Sequence, residues 1–223
     1  MEPAQLATIT QKRHRGRPAG ANAELQRQRI LQHACDAFAE NGPDSTRLQD
    51  IAERAGVDRR LVYHYFKSKE RLYLEVLQDI FSKLVDLSED IAIGQTDLES
   101  VLAQLMQRYY HFCRTNTAYV RLLMWENLRE AQGLKQYAEK CEMIRHNFEF
   151  MKPLILNAAR DGRCRIDIDP TLLVLTCLGQ CLYFLSHGAS LELFFHCDAT
   201  SDQARDTWIN HALIQVIDGI RPR

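Results

Sequence analysis

The sequence predicts an all-α fold. Three observations carry this. Only 10 glycines and 6 prolines occur in 223 residues. Runs of period-two alternation are absent, and Val and Ile are the minority among apolar residues. Apolar side chains recur instead every three or four positions, between residues suited to helix caps.

Each element follows in chain order. Residues 1–20 have no apolar period and contain Lys12, Arg13, Arg15 and Arg17, so they read as a flexible basic arm. A first helix is expected over 23–40, with Ile30, Leu31, Ala34, Ala37 and Phe38 on one stripe and Asn41-Gly42-Pro43 as its stop. Thr46 with Gln49, Thr96 with Glu99 and Thr200 with Gln203 read as capping boxes, and Asp169-Pro170 as an N-cap followed by proline at N1. Longer helices are therefore expected over 68–90, 97–115, 118–130, 134–161, 170–187 and 201–219. Gly133, Gly162 and Gly188 punctuate them, and Pro153 is expected to kink or break the helix over 134–161.

Composition narrows the class. With 46% hydrophobic and 26% charged residues the chain is of globular type, which excludes collagen-like and wholly disordered readings. Its net charge of −1 conceals a division. Residues 1–71 hold 13 Lys and Arg against 9 Asp and Glu, whereas residues 72–223 hold 15 against 20. A basic front on an acidic body points to an anionic partner for the front. The basic N-terminus lacks the apolar core of a secretory signal. The uncharged stretch Pro170 to Ser186 is interrupted by Thr176, Gly179 and Gln180 and reads as a buried helix, not a bilayer span. Seven scattered cysteines, Cys35, Cys113, Cys141, Cys164, Cys177, Cys181 and Cys197, fit a reducing cytoplasm.

The most informative window is Leu48 to Lys67. Two short helices crossing steeply over a tight turn require apolar contacts, one small residue at closest approach and glycine where the turn goes left-handed. Ile51, Ala55, Val57, Val62 and Tyr65 supply the contacts, Ala52 the approach, Gly56 the turn and Asp58 the cap of the second helix. That helix presents Arg59, Arg60, Tyr63 and His64 on its open face, as a helix entering a DNA groove does.

These residues resemble the DNA-binding domain of the TetR family of transcriptional regulators. The likeness runs from about Arg27 to Leu77, through Thr46, Ile51-Ala52, Ala55-Gly56-Val57, Tyr63-His64-Tyr65-Phe66, Ser68-Lys69-Glu70 and Leu72. It implies a reading head over 21–71 and a body over 72–223 that dimerises and holds a small effector. It also implies phosphate contacts for Tyr63 and Lys69, roles that a helix-borne hydroxyl and an ammonium beside a helix N-terminus suit. Thr46 or Arg47 would face another phosphate. Arg59 and Arg60 occupy base-facing positions, where arginine fits guanine bidentately, and His64 is a weaker base candidate. Leu61 leaves two roles open, contact with a thymine methyl or packing. In the arm, Arg15-Gly16-Arg17-Pro18 resembles the centre of AT-hook peptides, which implies minor-groove contact by Arg15 and Arg17.

Two C-terminal segments look built for a symmetric homodimer, 170–187, apolar almost all round, and 201–219, with Trp208, Ile209, Leu213, Val216 and Ile217 at helical spacing. Such a dimer reads a near-palindromic double-stranded DNA site. For the effector, Tyr110, Trp125, Glu126, Gln180 and Tyr183 are the candidates, as polar groups within apolar stretches. The tail from Ile166 to Arg223 is loosely similar to the pyrimidine-utilisation repressor branch, which implies a polar, planar effector. Cys177 and Cys181, one turn apart, leave open a redox- or metal-responsive regulator, although burial as small apolar fillers is the stronger reading. No cofactor, metal or catalytic constellation is expected, so an enzyme, like a scaffold without DNA binding, is the weaker alternative. A repressor released by a small molecule is the expected function.

Overall fold

The computed structural model describes residues 19–89, 97–137, 142, 145, 149 and 151–222. Arg15, Arg17, Thr96, Cys141 and Phe148 lie outside them. Among the described residues all regular structure is helical. Helix α1 spans Ala19–Ser45, with its continuity broken at Gly42. Helices α2 (Leu48–Ala55), α3 (Arg59–Phe66) and α4 (Lys69–Glu89) complete the front. The body contains α5 (Leu98–Thr115), α6 (Thr117–Leu128), a 3-10 turn at Leu134–Tyr137, α7 (Met151–Arg160), α8 (Pro170–Ser186), α9 (Gly188–Phe195) and α10 (Asp202–Ile220).

The stop expected at Asn41-Gly42-Pro43 has a clear physical basis. Gly42 sits at φ 76°, ψ 161°, and a Cβ there would lie 3.0 Å from the Trp125 ring. Both the backbone angle and the aromatic neighbour demand glycine. Gly56 is left-handed at φ 62°, ψ 40°, and its N–H closes α2 on Ala52 and Glu53, while the Asp58 carboxylate accepts from Arg60 N at 2.7 Å.

Three expected capping boxes are corrected by one residue each. Arg47, not Thr46, is the N-cap of α2 and makes no side-chain cap. The Thr46 hydroxyl instead turns inward, 2.6 Å from Gly42 O and 3.2 Å from Ala37 O, stitching the end of α1. Asp97 caps α5 through Ser100 N, and Ser201 caps α10 through Ala204 N, with Thr200 bonded back to Asp198. At α5 and α10 an acceptor one residue nearer the helix captures the free amides, whereas α2 starts without a side-chain cap. Asp169 caps α8 as expected. The expected helix over 134–161 begins as a 3-10 turn, and Pro153 lies inside α7. Helix α9 was not expected, because Gly188 reads as punctuation and no side chain caps its start.

Buried apolar side chains form one continuous cluster, from Ile30 and Phe38 in α1 through Val62 and Phe66 in α3 to Val216 and Ile220 in α10. Helix α1 packs on both α4 and α6, and α5 on α8 and α10. Among the described residues no single helix is long and apolar enough to cross a membrane, and α8 and α9 meet at a bend of 74°.

Candidate nucleic-acid interface

Helix α3 is held from one side only. Val62 and Phe66 are buried against the front's core, while Arg59, Arg60, Tyr63 and His64 are exposed. The four fall at i, i+1, i+4 and i+5, which places them on one helix face. Arg59 Nη2 donates to Tyr63 Oη at 3.2 Å, and its guanidinium lies 5.3 Å from the Tyr63 ring. That stacking restricts two long side chains before any partner arrives. Leu61 is half-buried at the edge of this face, so its two readings both remain available.

Lys69, the first residue of α4, brings the second half of the surface together. Its Nζ donates to Asp44 O at 3.1 Å and Thr46 O at 3.2 Å, leaving one ammonium donor for an outside acceptor. Arg47 is exposed beside this corner. The adjacent Glu70 carboxyl is held below the usual carboxylate range by its own backbone N–H and by the Ser68 hydroxyl, as expected where helix-start donors favour negative charge. Thr46 itself is buried, so its hydroxyl serves the corner internally and Arg47 is the exposed member of that pair.

The five effector candidates divide into two sets. Trp125 and Glu126 belong to a seam between α6 and the front. Trp125 Nε1 donates to Ala39 O at 3.3 Å. Glu126, 0% exposed, accepts from the Tyr73 hydroxyl and from Leu134 N, each at 2.8 Å, with Arg129 Nη1 at 3.4 Å. Tyr110, Gln180 and Tyr183 belong to the α5–α8–α10 region. Tyr110 donates to Arg205 O, Trp208 Nε1 donates to Gln180 O at 2.9 Å, and Tyr183 stacks on His187 at 4.5 Å. The described contacts give the two sets no common partner. A polar cavity of about 420 Å³ lies among α1, α4 and the 3-10 turn, lined by Arg27, Arg71, Glu75 and Tyr137 and by none of the five. Tyr73, Arg129 and Asp44, central to the seam, were missed because only the Glu126–Arg129 spacing is visible locally.

Helices α8 and α10 present an uncovered apolar strip. Leu172 is 63% exposed, Leu175 58% and Ile214 57%, with Tyr183 beside them. Of the residues expected to face a partner, Ile209 and Val216 are buried within the chain and Leu213 and Ile217 only half-buried.

Cys177 and Cys181 are buried, and Cys181 Sγ lies 3.4 Å from Met106 O. Burial pushes the Cys177 and Cys113 thiols up to about 12, Cys35 up to about 11 and Cys181 well above its ordinary value. A protonated, enclosed thiol is a poor nucleophile and a poor metal ligand, which weighs against the cysteine-responsive reading. Among the described residues no group of three or more His, Cys, Asp or Glu is arranged to hold a metal. A thiol harder to ionise folded than unfolded supports folding below its ordinary value of 9.0, and that support is lost as pH rises from there towards about 12. Thermal midpoints should therefore fall across that window, less steeply in a Cys177→Ala/Cys181→Ala variant; an unchanged slope would contradict the burial argument.

Comparison with known proteins agrees with this arrangement. Residues 30–76 match the family model described as bacterial regulatory proteins, tetR family, and residues 99–216, over half the chain, match the tetracyclin repressor-like C-terminal domain. The HTH-type transcriptional repressor NicS of Pseudomonas putida is 27% identical over 203 residues, covering 89% of this chain and 94% of that one. The HTH-type transcriptional regulator RutR of Escherichia coli K12 is 27% identical over 204 residues, covering 87% and 90%. In fold, the ketosteroid transcriptional regulator KstR2 of Mycobacterium tuberculosis superposes with TM-score 0.69 at 21% identity, over 89% of this chain and 96% of that one. The transcriptional regulator FadR of Bacillus subtilis, solved in complex with stearoyl-CoA, superposes with TM-score 0.64 at 18% identity, over 87% and 100%. With both halves matched in order and the helix-turn-helix in place, the chain belongs to the TetR family of helix-turn-helix transcriptional regulators.

Proposed function

We propose that the chain is a dimeric repressor acting in the cytoplasm, reading a near-palindromic DNA site with 21–71 and releasing it when a small molecule binds the body, 72–223. The observation that carries this is the open face of α3, where Arg59, Arg60, Tyr63 and His64 are exposed together. Arg59 and Arg60 read base edges there, His64 and Leu61 flank them, and Tyr63 and Lys69 hold phosphates together with Arg47 and the uncapped start of α2. Arg15 and Arg17 extend the contact into the minor groove.

Dimerisation through α8 and α10 accounts for the uncovered Leu172, Leu175 and Ile214. It also sets two α3 helices one or more DNA turns apart, about 34 Å per turn. The effector contacts are assigned to Tyr110, Gln180 and Tyr183 of the α5–α8–α10 region, whereas Glu126 is wholly buried with both carboxylate oxygens taken in the seam. Repression and release are supported by the repressor NicS and by FadR, whose structure holds stearoyl-CoA. Selection from random duplex DNA tests the reading. Enrichment of two inverted half-sites is expected, with a protein of twice the chain mass in sedimentation. Failure to enrich any sequence would refute it. A thermal-shift screen against metabolites then addresses the effector, since a ligand at about 100 times its Kd adds about 2.7 kcal/mol.

A further inference from the structure

Helix α6 ends in an unusual turn. Glu130 and Ala131 are consecutive non-glycine residues at φ 54° and 58°, a left-handed conformation that side chains with a Cβ disfavour. Such a pair persists only where its surroundings over-determine it. Here they do. Ala131 N donates back to Glu126 O, Leu134 N donates to the Glu126 carboxylate, and a Cβ at Gly133 would lie 2.6 Å from Leu77 and 2.9 Å from that carboxylate.

Arg129 emerges from this turn and joins two carboxylates of opposite character. Its Nη1 reaches Glu126 Oε1 at 3.4 Å, and its guanidinium lies 5.7 Å from the Tyr73 ring. On the other side Nε and Nη2 each approach the Asp44 carboxylate at 3.3 Å. Glu126 is wholly buried, whereas the Asp44 side chain is 79% exposed. Leaving Glu126 would strand a buried group, and leaving Asp44 returns an exposed one to water, so any movement of α6 breaks the link at Asp44. Asp44 and Thr46 are also the residues whose carbonyls hold the Lys69 ammonium.

We propose that the turn after α6 is a latch and Arg129 a positioning residue for DNA. By gripping Asp44 it fixes the α1–α2 corner that sets Arg47 and Lys69 against the phosphates, and motion of the body releases that grip. The inference rests on the regulator reading and adds to it the residue pair through which the body acts on the head.

The two roles open to Asp44 predict opposite signs. Removing an exposed negative charge beside bound phosphates ordinarily strengthens binding. Removing the grip weakens it. A duplex selected by the unmodified protein serves as the probe, with affinity measured across a salt series. Asp44→Asn, which leaves Glu126 and its partners intact, should weaken binding about threefold to fivefold, the upper end of what a partly exposed ion pair gives, with a thermal midpoint lowered by no more than a few degrees. Arg129→Ala should weaken it at least as much, and the double variant no more than Arg129→Ala alone. Tighter or equal binding by Asp44→Asn, or additive losses in the double variant, overturns the latch while leaving the regulator reading intact. An unmodified protein that selects no duplex removes both.

Discussion

Replacing Glu126 with alanine is expected to destabilise the chain by about 3–5 kcal/mol, the range found when one member of a buried charged and hydrogen-bonded group is removed. The carboxyl group is 0% exposed and accepts from Tyr73 and Leu134 N while facing Arg129. Truncation leaves a hydroxyl and an amide without acceptors, a guanidinium with its buried side uncompensated and a void beneath Gly133. Glu126→Gln keeps one acceptor oxygen and most of the volume, so it should lose distinctly less. Urea denaturation of the two variants measures the difference. Equal and small losses would mean that the site rearranges and that Glu126 does not hold α6 to α4.

Replacing Arg59 with alanine is expected to cost about 1–3 kcal/mol of binding to the selected duplex, roughly five- to 150-fold, and to relax preference at one base position in each half-site. Its exposure at the start of α3 and its stacking on Tyr63 prepare the guanidinium for a bidentate contact. Lys69→Ala should behave differently. A phosphate contact carries no sequence information, so all duplexes should weaken alike and the salt slope should fall by about one. A quantitative gel-shift series on matched and mismatched duplexes separates the two. Undiminished selectivity in Arg59→Ala would remove it from the base-reading set.

The front of the molecule was legible in the sequence because its constraints are local. Gly56 must be left-handed, Asp58 must cap, and Val62 and Phe66 must be buried if α2 and α3 are to cross within some twenty residues. The body yielded helices but not roles. Trp125 and Glu126 have the polar character of ligand contacts, and only the folded chain reveals that Ala39, Tyr73 and Leu134 already engage them. Residues 86 and 53 positions apart meet in those bonds, a distance over which helical periodicity is silent. The capping errors were of a different kind. Where Thr precedes Asp or Ser by one position, the stronger acceptor nearest the helix wins, so Asp97 and Ser201 cap where Thr was expected.

The unbroken run of buried side chains from Ile30 to Ile220 bears on how this protein could be rebuilt. A cut at residue 71 passes through the first turn of α4 and strips α1 of the α4 and α6 surfaces it packs on, including Tyr73 against Phe38 and Trp125 on Ala39 O. The front is consequently no transplantable cassette. A hybrid carrying this specificity on another body must import α4 whole together with the α6 residues that seat Gly42, and the junction that respects both falls beyond the turn at Gly133, not between the segments that the charge pattern first separates.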